Sequence, residues 1–303
     1  NFATSKYLAT FAENKPHMTN QKQGINVVSL FNGMGTLRQS FHNLGIKVNK
    51  YYSSEIKPYA IQLQQHHFPD VIQVGDITKW REWDIDWGSI DFIGSGSPCQ
   101  DLSAAGKRKG ISGSRSSLFF VFVEMFNHIK TLNPNVVFFQ ENVGSANIGD
   151  IGTMSRALGV YPVRINSSLV TAQLRDRYYW TNIRTKQTMF DTVTDIPQPK
   201  DKKISLKDIL TSGKVDVDKH CCLKTKKGCV SQESIKHRNE TTGMITVIYE
   251  DGYLRTCNKI EMCRLQGFPD NYCDILTEEK AHSLLGDGWT LPIIEHILSF
   301  YKY

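Results

Sequence analysis

The chain has 303 residues, enough to bury a sizeable core in one or two domains. Its 40% hydrophobic and 22% charged residues are those of a globular protein, no apolar run approaches a membrane span, and no N-terminal segment has secretory form. The net charge of +6 is concentrated: residues 219–238 hold six Lys/Arg against one Glu, and residues 100–117 hold four against one Asp. Such concentration favours a polyanion, nucleic acid first, with a pair of solvated lysine-rich loops as the plain alternative. Seven cysteines without framework spacing fit a reducing, intracellular compartment, either a bacterial or viral-host cytoplasm or a eukaryotic nucleus.

Residues 1–24 read as a polar N-terminal extension; the chain does not begin with Met, and His17-Met18 has the form of a cloning junction. Ile25 to Phe31 is a short apolar strand that runs into Asn32-Gly33-Met34-Gly35 and then a helix from Thr36 to Leu44. Strand, glycine turn and helix let backbone N–H groups face a ligand, although the third glycine of a dinucleotide fingerprint is missing. A second strand, Val48 to Ser54, ends at Glu55, where a carboxylate can accept ribose hydroxyls. After a helix from Tyr59 to His67, the strand Val71 to Val74 ends near Asp76, which can accept from an adenine amino group while Ile56 and Ile77 cover the ring. As bare acids, Glu55 and Asp76 would be a helix cap or a loop charge; three such features at successive strand ends favour a nucleoside pocket.

The apolar run Ser89 to Ile93 breaks at Gly94 and delivers Pro98-Cys99-Gln100 to the same sheet edge. A cysteine there is a candidate nucleophile, the other reading being a buried structural thiol. The stretch Ser103 to Ser117 mixes glycines with Lys107, Arg108, Lys109 and Arg115, the composition of a closing loop. A phenylalanine-rich helix, Leu118 to Thr131, precedes the strand Asn135 to Gln140, which presents Glu141 as a candidate acid/base. Past a strand from Arg164 to Val170, alternation along 172–180 places Gln173, Arg175 and Arg177 on one face. Residues 184–254 change texture and read as a smaller inserted domain between a catalytic part, 25–183, and a returning segment, 255–303. Cys221, Cys222, Cys229, His220 and His237 fit no standard ligand spacing, so no metal is expected. Helices over Lys259–Gln266, Glu278–Leu285 and Pro292–Tyr301 close the chain, with Trp289 before the last.

Taken in order, LFNGMG, the acid of SSEIKPYAI, GDI, SPCQDLS, ENV, QLRDR, RLQGFPDNY and LLGDGWTLP resemble the cytosine-C5 DNA methyltransferase family from about Ile25 to Phe300. SLFFVFVEMF, RYYWTN, IEMCRLQGFP and the tryptophan of GDGWTLPII are most similar to the Dnmt3-type catalytic domain. Two features depart from the pattern: the glycine turn reads NGMGT, and Asp287 and Gly288 stand where a polar or basic pair is expected.

The resemblance implies a Rossmann-like, doubly wound, mostly parallel α/β sheet, the class I SAM-dependent methyltransferase fold, with a small inserted target-recognition domain. It implies S-adenosylmethionine as methyl donor and double-stranded DNA as partner. Cys99 would attack C6 of an everted cytosine, Glu141 hold the base edge, Arg177 bind its O2 and Arg175 steady the site. Phe31, Gly33 and Gly35 would line the methionine end, Glu55 the ribose, Asp76, Ile56 and Ile77 the adenine, with Pro98 and Trp289 completing the cofactor contacts. Ser103, Lys107, Arg108, Lys109 and Arg115 would grip DNA, and Lys236, Arg238 and Asn239 read bases. A transfer-RNA cytosine methyltransferase and an inactive DNA-binding subunit are the competing readings.

Overall fold

The computed structural model of the chain describes residues 24–98, 118–225, 233 and 246–303. β1 (Ile25–Leu30) is followed by α1 (Thr36–Asn43), β2 (Val48–Ser54), α2 (Pro58–His67), β3 (Val71–Gln73) and β4 (Phe92–Ser95). Then come α3 (Leu118–Leu132), β5 (Val137–Val143), α4 (Ile148–Leu158), β6 (Val163–Asn166) and β7 (Asp176–Thr181). These strands form one sheet in the order β3-β2-β1-β4-β5-β7-β6. The first five run parallel, and β7 is antiparallel to both β5 and β6. Strand order reverses between β1 and β4, so the connections leave to opposite faces and a crevice opens at the strands' carboxyl ends.

The sheet is buried on both faces, which is why β1 reads as an unbroken run in which every residue is buried. On one face Val28, Leu30, Ile93 and Phe138 meet Phe119, Phe122 and Phe126 of α3. On the other, Val27, Phe92 and Phe139 meet Leu37 and Phe41 of α1 and Ile293, Ile294 and Ile297 of the closing helix. Phe41 packs edge-on to Phe92 with ring centroids 5.2 Å apart.

After β7 a hairpin of β8 (Thr185–Gln187) and β9 (Thr192–Thr194) packs back on the sheet, Thr194 Oγ1 donating to the Thr181 carbonyl. β10 (Ile248–Glu250) and β11 (Tyr253–Arg255) form a second hairpin. The chain ends in α5 (Lys259–Gln266), α6 (Glu278–Asp287) and α7 (Leu291–Leu298). Leu206, Leu223 and Ile248 share a core with Met262, Leu265, Leu284, Leu285 and Met34, so the segment before α5 is seated on α5, α6 and the β1–α1 turn. No described helix is long and apolar enough to cross a membrane.

Several local expectations change, and the strand expected to reach Val170 ends at Asn166, which caps a 3₁₀ turn over Ser167–Leu169. β5 does not stop at Gln140; Glu141, Asn142 and Val143 stay in the ladder because Tyr179, Tyr178 and Arg177 of β7 pair with them. β4 runs two residues further, its Gly94 and Ser95 pairing with β1 and β5 on either side. Residues 173–175 lie ahead of β7, and Gln173 bridges to His220 instead of continuing that strand.

Candidate active site

The β1–α1 turn is tight: Phe31, Gly33 and Gly35 take φ of 54°, 54° and 81°. Two glycines accept this without strain, and only Phe31 bears a steric cost. The turn is tied to the end of β2 by Glu55. Gly33 N–H donates to its Oε2 at 2.8 Å, and the N–H groups of Ile56 and Lys57 donate to Oε1 at 2.8 and 2.9 Å. A carboxylate offers about four acceptor positions, so Glu55 has room for one further donor and a two-hydroxyl grip requires one amide to let go. Asp76 caps the short 3₁₀ turn after β3, its Oδ1 accepting from Thr78 N and Oγ1, both at 2.9 Å. Ile77 beside it is buried, whereas Ile56 is 70% exposed across the opening.

Beyond β4, Ser97 Oγ accepts from Gln140 Nε2 at 2.9 Å and Asn142 Nδ2 at 3.4 Å, which anchors Pro98 to β5. Cys99, next in sequence, lies outside the described residues, as do Ser103, Lys107, Arg108, Lys109, Arg115, Lys236, Arg238 and Asn239. Glu141, 9% exposed, is held at both oxygens: Arg177 Nε lies 2.8 Å from Oε1, and Trp289 Nε1 donates to Oε2 at 3.1 Å.

Arg175 is 3% exposed and, among the described residues, has no carboxylate as a hydrogen-bond partner. Its Nη2 donates to the carbonyls of Gly286 at 3.1 Å and Gly288 at 2.7 Å, and its Nη1 to Leu223 O at 3.4 Å and Cys222 Sγ at 3.3 Å. The guanidinium therefore caps the carboxyl end of α6, where orphan carbonyls and the helix dipole favour a cation. Burial, and then the like charge of Arg177, lower its pKa from the ordinary value.

The two departures from the family pattern have local partners. Asp287 Oδ2 accepts from Lys57 Nζ at 2.7 Å, joining α6 to the start of α2 across the opening. Met34, fully buried, fills the space over Gly288: a Cβ there would lie 2.7 Å from Met34 Sδ and 2.9 Å from Leu284 O. Met34 in the turn and glycine at 288 are thus a matched pair. We expect Gly288→Ser to cost about 1–3 kcal/mol through overpacking. Met34→Ala should recover part of it, a coupling of about 1 kcal/mol in a denaturation double-mutant cycle. Strict additivity of the two changes would show that the pair is not matched.

Phe31, Gly33, Glu55, Ile56, Asp76, Ile77, Pro98, Glu141, Arg175, Arg177 and Trp289 line one cavity of about 550 Å³. Gly35 is not on its wall; it is the N-cap of α1. Sequence reading missed Ser97, Met34, Lys57 and Asp287 as wall residues. It also missed Tyr272, whose hydroxyl donates to Met34 O at 2.8 Å and pins the turn from behind. Tyr272 sits within the RLQGFPDNY motif, which was the available signal. The donor set fits S-adenosylmethionine: apolar faces from Ile56 and Ile77 for a flat ring, Asp76 for an amino group, Glu55 for a hydroxyl, and the Lys57–Asp287 pair for a zwitterionic end.

A sheet of this order, parallel but for the antiparallel β7, is the class I SAM-dependent methyltransferase fold. Comparison with known proteins narrows this. The model of the C-5 cytosine-specific DNA methylase family matches residues 25–153. A type II methyltransferase of Lactococcus lactis subsp. cremoris, M1.ScrFI, is 29% identical over 95% of this chain and 80% of its own length. The orphan methyltransferase M.SPRI of Bacillus phage SPR is 30% identical over 53% of this chain and 38% of its own length, so less than half of that enzyme is spanned. Among solved structures, S. pombe Dnmt2 methyltransferase superposes with a TM-score of 0.61 at 15% identity, over 91% of this chain and 97% of its own, a likeness of fold. Residues 25–153 are thus similar to the C-5 cytosine-specific DNA methylase family, for which S-adenosylmethionine is the methyl donor that the cavity fits. The closer Dnmt3-type likeness rests on the motifs alone.

Proposed function

We propose that this chain transfers a methyl group to C5 of a cytosine everted from double-stranded DNA, inside the cell, with Cys99 as nucleophile. The observation that carries the reading is Glu141, held at both oxygens by Arg177 and Trp289, on the wall of the same cavity as Pro98 and the nucleoside-type residues. Cytosine C5 is a poor nucleophile until a thiolate adds to C6. Attack moves the C5=C6 π pair onto C5 and through C4 to N3, where Glu141 in its acid form gives a proton, and Arg177 holds the O2 edge. The cofactor supplies an electrophilic sulfonium methyl. Once C5 carries the methyl, water takes the C5 proton, the C–H pair re-forms the C5=C6 bond and expels the thiolate, and N3 returns its proton to Glu141. The base must leave the stack to reach the cavity, at a cost of a few kcal/mol. Residues 184–254 would carry target recognition, with Lys236, Arg238 and Asn239 at base edges, and the Ser103–Ser117 stretch would grip phosphates.

The test is transfer of labelled methyl from the cofactor to duplex DNA and to transfer RNA, followed by bisulfite sequencing of the DNA. The expected result is 5-methylcytosine in DNA at one short recurring sequence. Label in transfer RNA alone, or in neither, would refute the reading.

A further inference from the structure

Trp289 lines the cavity, and the one polar atom of its side chain is directed at the acid. Nε1 donates to Glu141 Oε2 at 3.1 Å, across 148 residues of sequence. The indole is seated by two contacts. Its ring lies 5.0 Å from that of Phe139 in β5, at an interplanar angle of 68°. Its edge occupies the space over Gly96, where a Cβ would fall 2.6 Å from Nε1 and 2.9 Å from Cζ2. Glycine at 96 is therefore what lets the ring approach the strand end, and the approach brings the N–H to the carboxylate. Arg177 Nε holds the other oxygen at 2.8 Å.

We infer that Trp289 is a positioning residue for the acid of the reaction: with Arg177 it fixes the plane of the Glu141 carboxylate so that the incoming pyrimidine meets it in one orientation. This rests on the function proposed above. A carboxylate gripped at one oxygen turns about its terminal torsion, which is broad and two-fold. Gripped at both, it presents its remaining lone pairs in one plane, the plane a base edge must share. Hydrogen bonds to a charged group are worth enough to hold it against thermal rotation.

The experiment compares wild type with Trp289→Phe, which keeps an aromatic body and removes the N–H. Gly96→Ala serves as a second variant, pushing the intact indole off its seat. Methylation is measured on duplexes carrying either cytosine or pyrimidin-2-one, which lacks the amino group, at the target position, and cofactor affinity by calorimetry. Both variants are expected to lower kcat on cytosine about tenfold or more. They should also narrow the preference for cytosine over pyrimidin-2-one, with cofactor affinity in Trp289→Phe within about threefold of wild type. A change confined to cofactor affinity, or an unaltered preference between the two bases, would overturn the inference. Absence of DNA methylation by the wild type would instead overturn the proposed function.

Discussion

Glu141→Gln is expected to slow methyl transfer by roughly 10²- to 10⁴-fold, the range for loss of a general acid or base, while cofactor affinity changes little. The substitution keeps shape and removes one capacity, which makes it more informative than a truncation. Two N–H donors, Arg177 Nε and Trp289 Nε1, converge on the two oxygens of this side chain. An amide has one oxygen and one NH₂, so either way round a donor faces a donor in a site where Glu141 is 9% exposed. Arg177 also loses its counter-charge beside the buried Arg175, whose surroundings already disfavour a second cation. The amide is therefore expected to rotate or the arginine to withdraw, and a group that cannot release a proton stands where the base edge should be. Single-turnover transfer of labelled methyl to a cytosine-containing duplex measures the loss, and calorimetry of cofactor binding separates it from a collapsed cavity. Transfer within a few fold of wild type would remove Glu141 from the chemistry.

Much of this site could be read along the chain because of how a parallel sheet is built. Each strand enters at one edge and ends at the other, so an apolar run followed by a polar residue already names a point on the functional edge. Glu55, Asp76 and Pro98 follow β2, β3 and β4 in this way and share a cavity. Glu141 was found by the same rule, but for an incomplete reason. It lies within β5, and it faces the cavity because β7 returns antiparallel and carries Arg177 to the neighbouring strand. No local periodicity announces a partner that arrives so much later in the chain. The same holds for the contacts that finish the site: Trp289 with Glu141, Lys57 with Asp287 and Met34 over Gly288 each join elements far apart in the sequence. The two departures from the family pattern read as defects in isolation and as complementary shapes and charges once folded.

Arg175 carries the second large effect, and here the expected loss is of stability. Arg175→Met, similar in length and apolar, should lower unfolding free energy by about 3–5 kcal/mol, the range seen when one partner is removed from a buried polar arrangement. The cause is the carbonyls, not a lost ion pair. Gly286 O and Gly288 O, at the end of α6, and Leu223 O, from the segment before α5, all accept from this guanidinium. Methionine would leave them buried with fewer donors, although Gln266 Nε2 still reaches Gly288 O at 3.2 Å. The α6 terminus also loses the cation that its dipole favours. For a chain of this size such a deficit corresponds to a fall in melting temperature of roughly 5–8 °C. Arg175→Lys should recover only a fraction, because one ammonium cannot span carbonyls that a planar fork reaches together. The loss should also appear at the cavity: Gly288 precedes Trp289, so a loosened α6 terminus lets the indole drift from Glu141 and activity falls before the protein unfolds. A melting temperature for Arg175→Met within about 2 °C of wild type would show that the α6 terminus is held by other means.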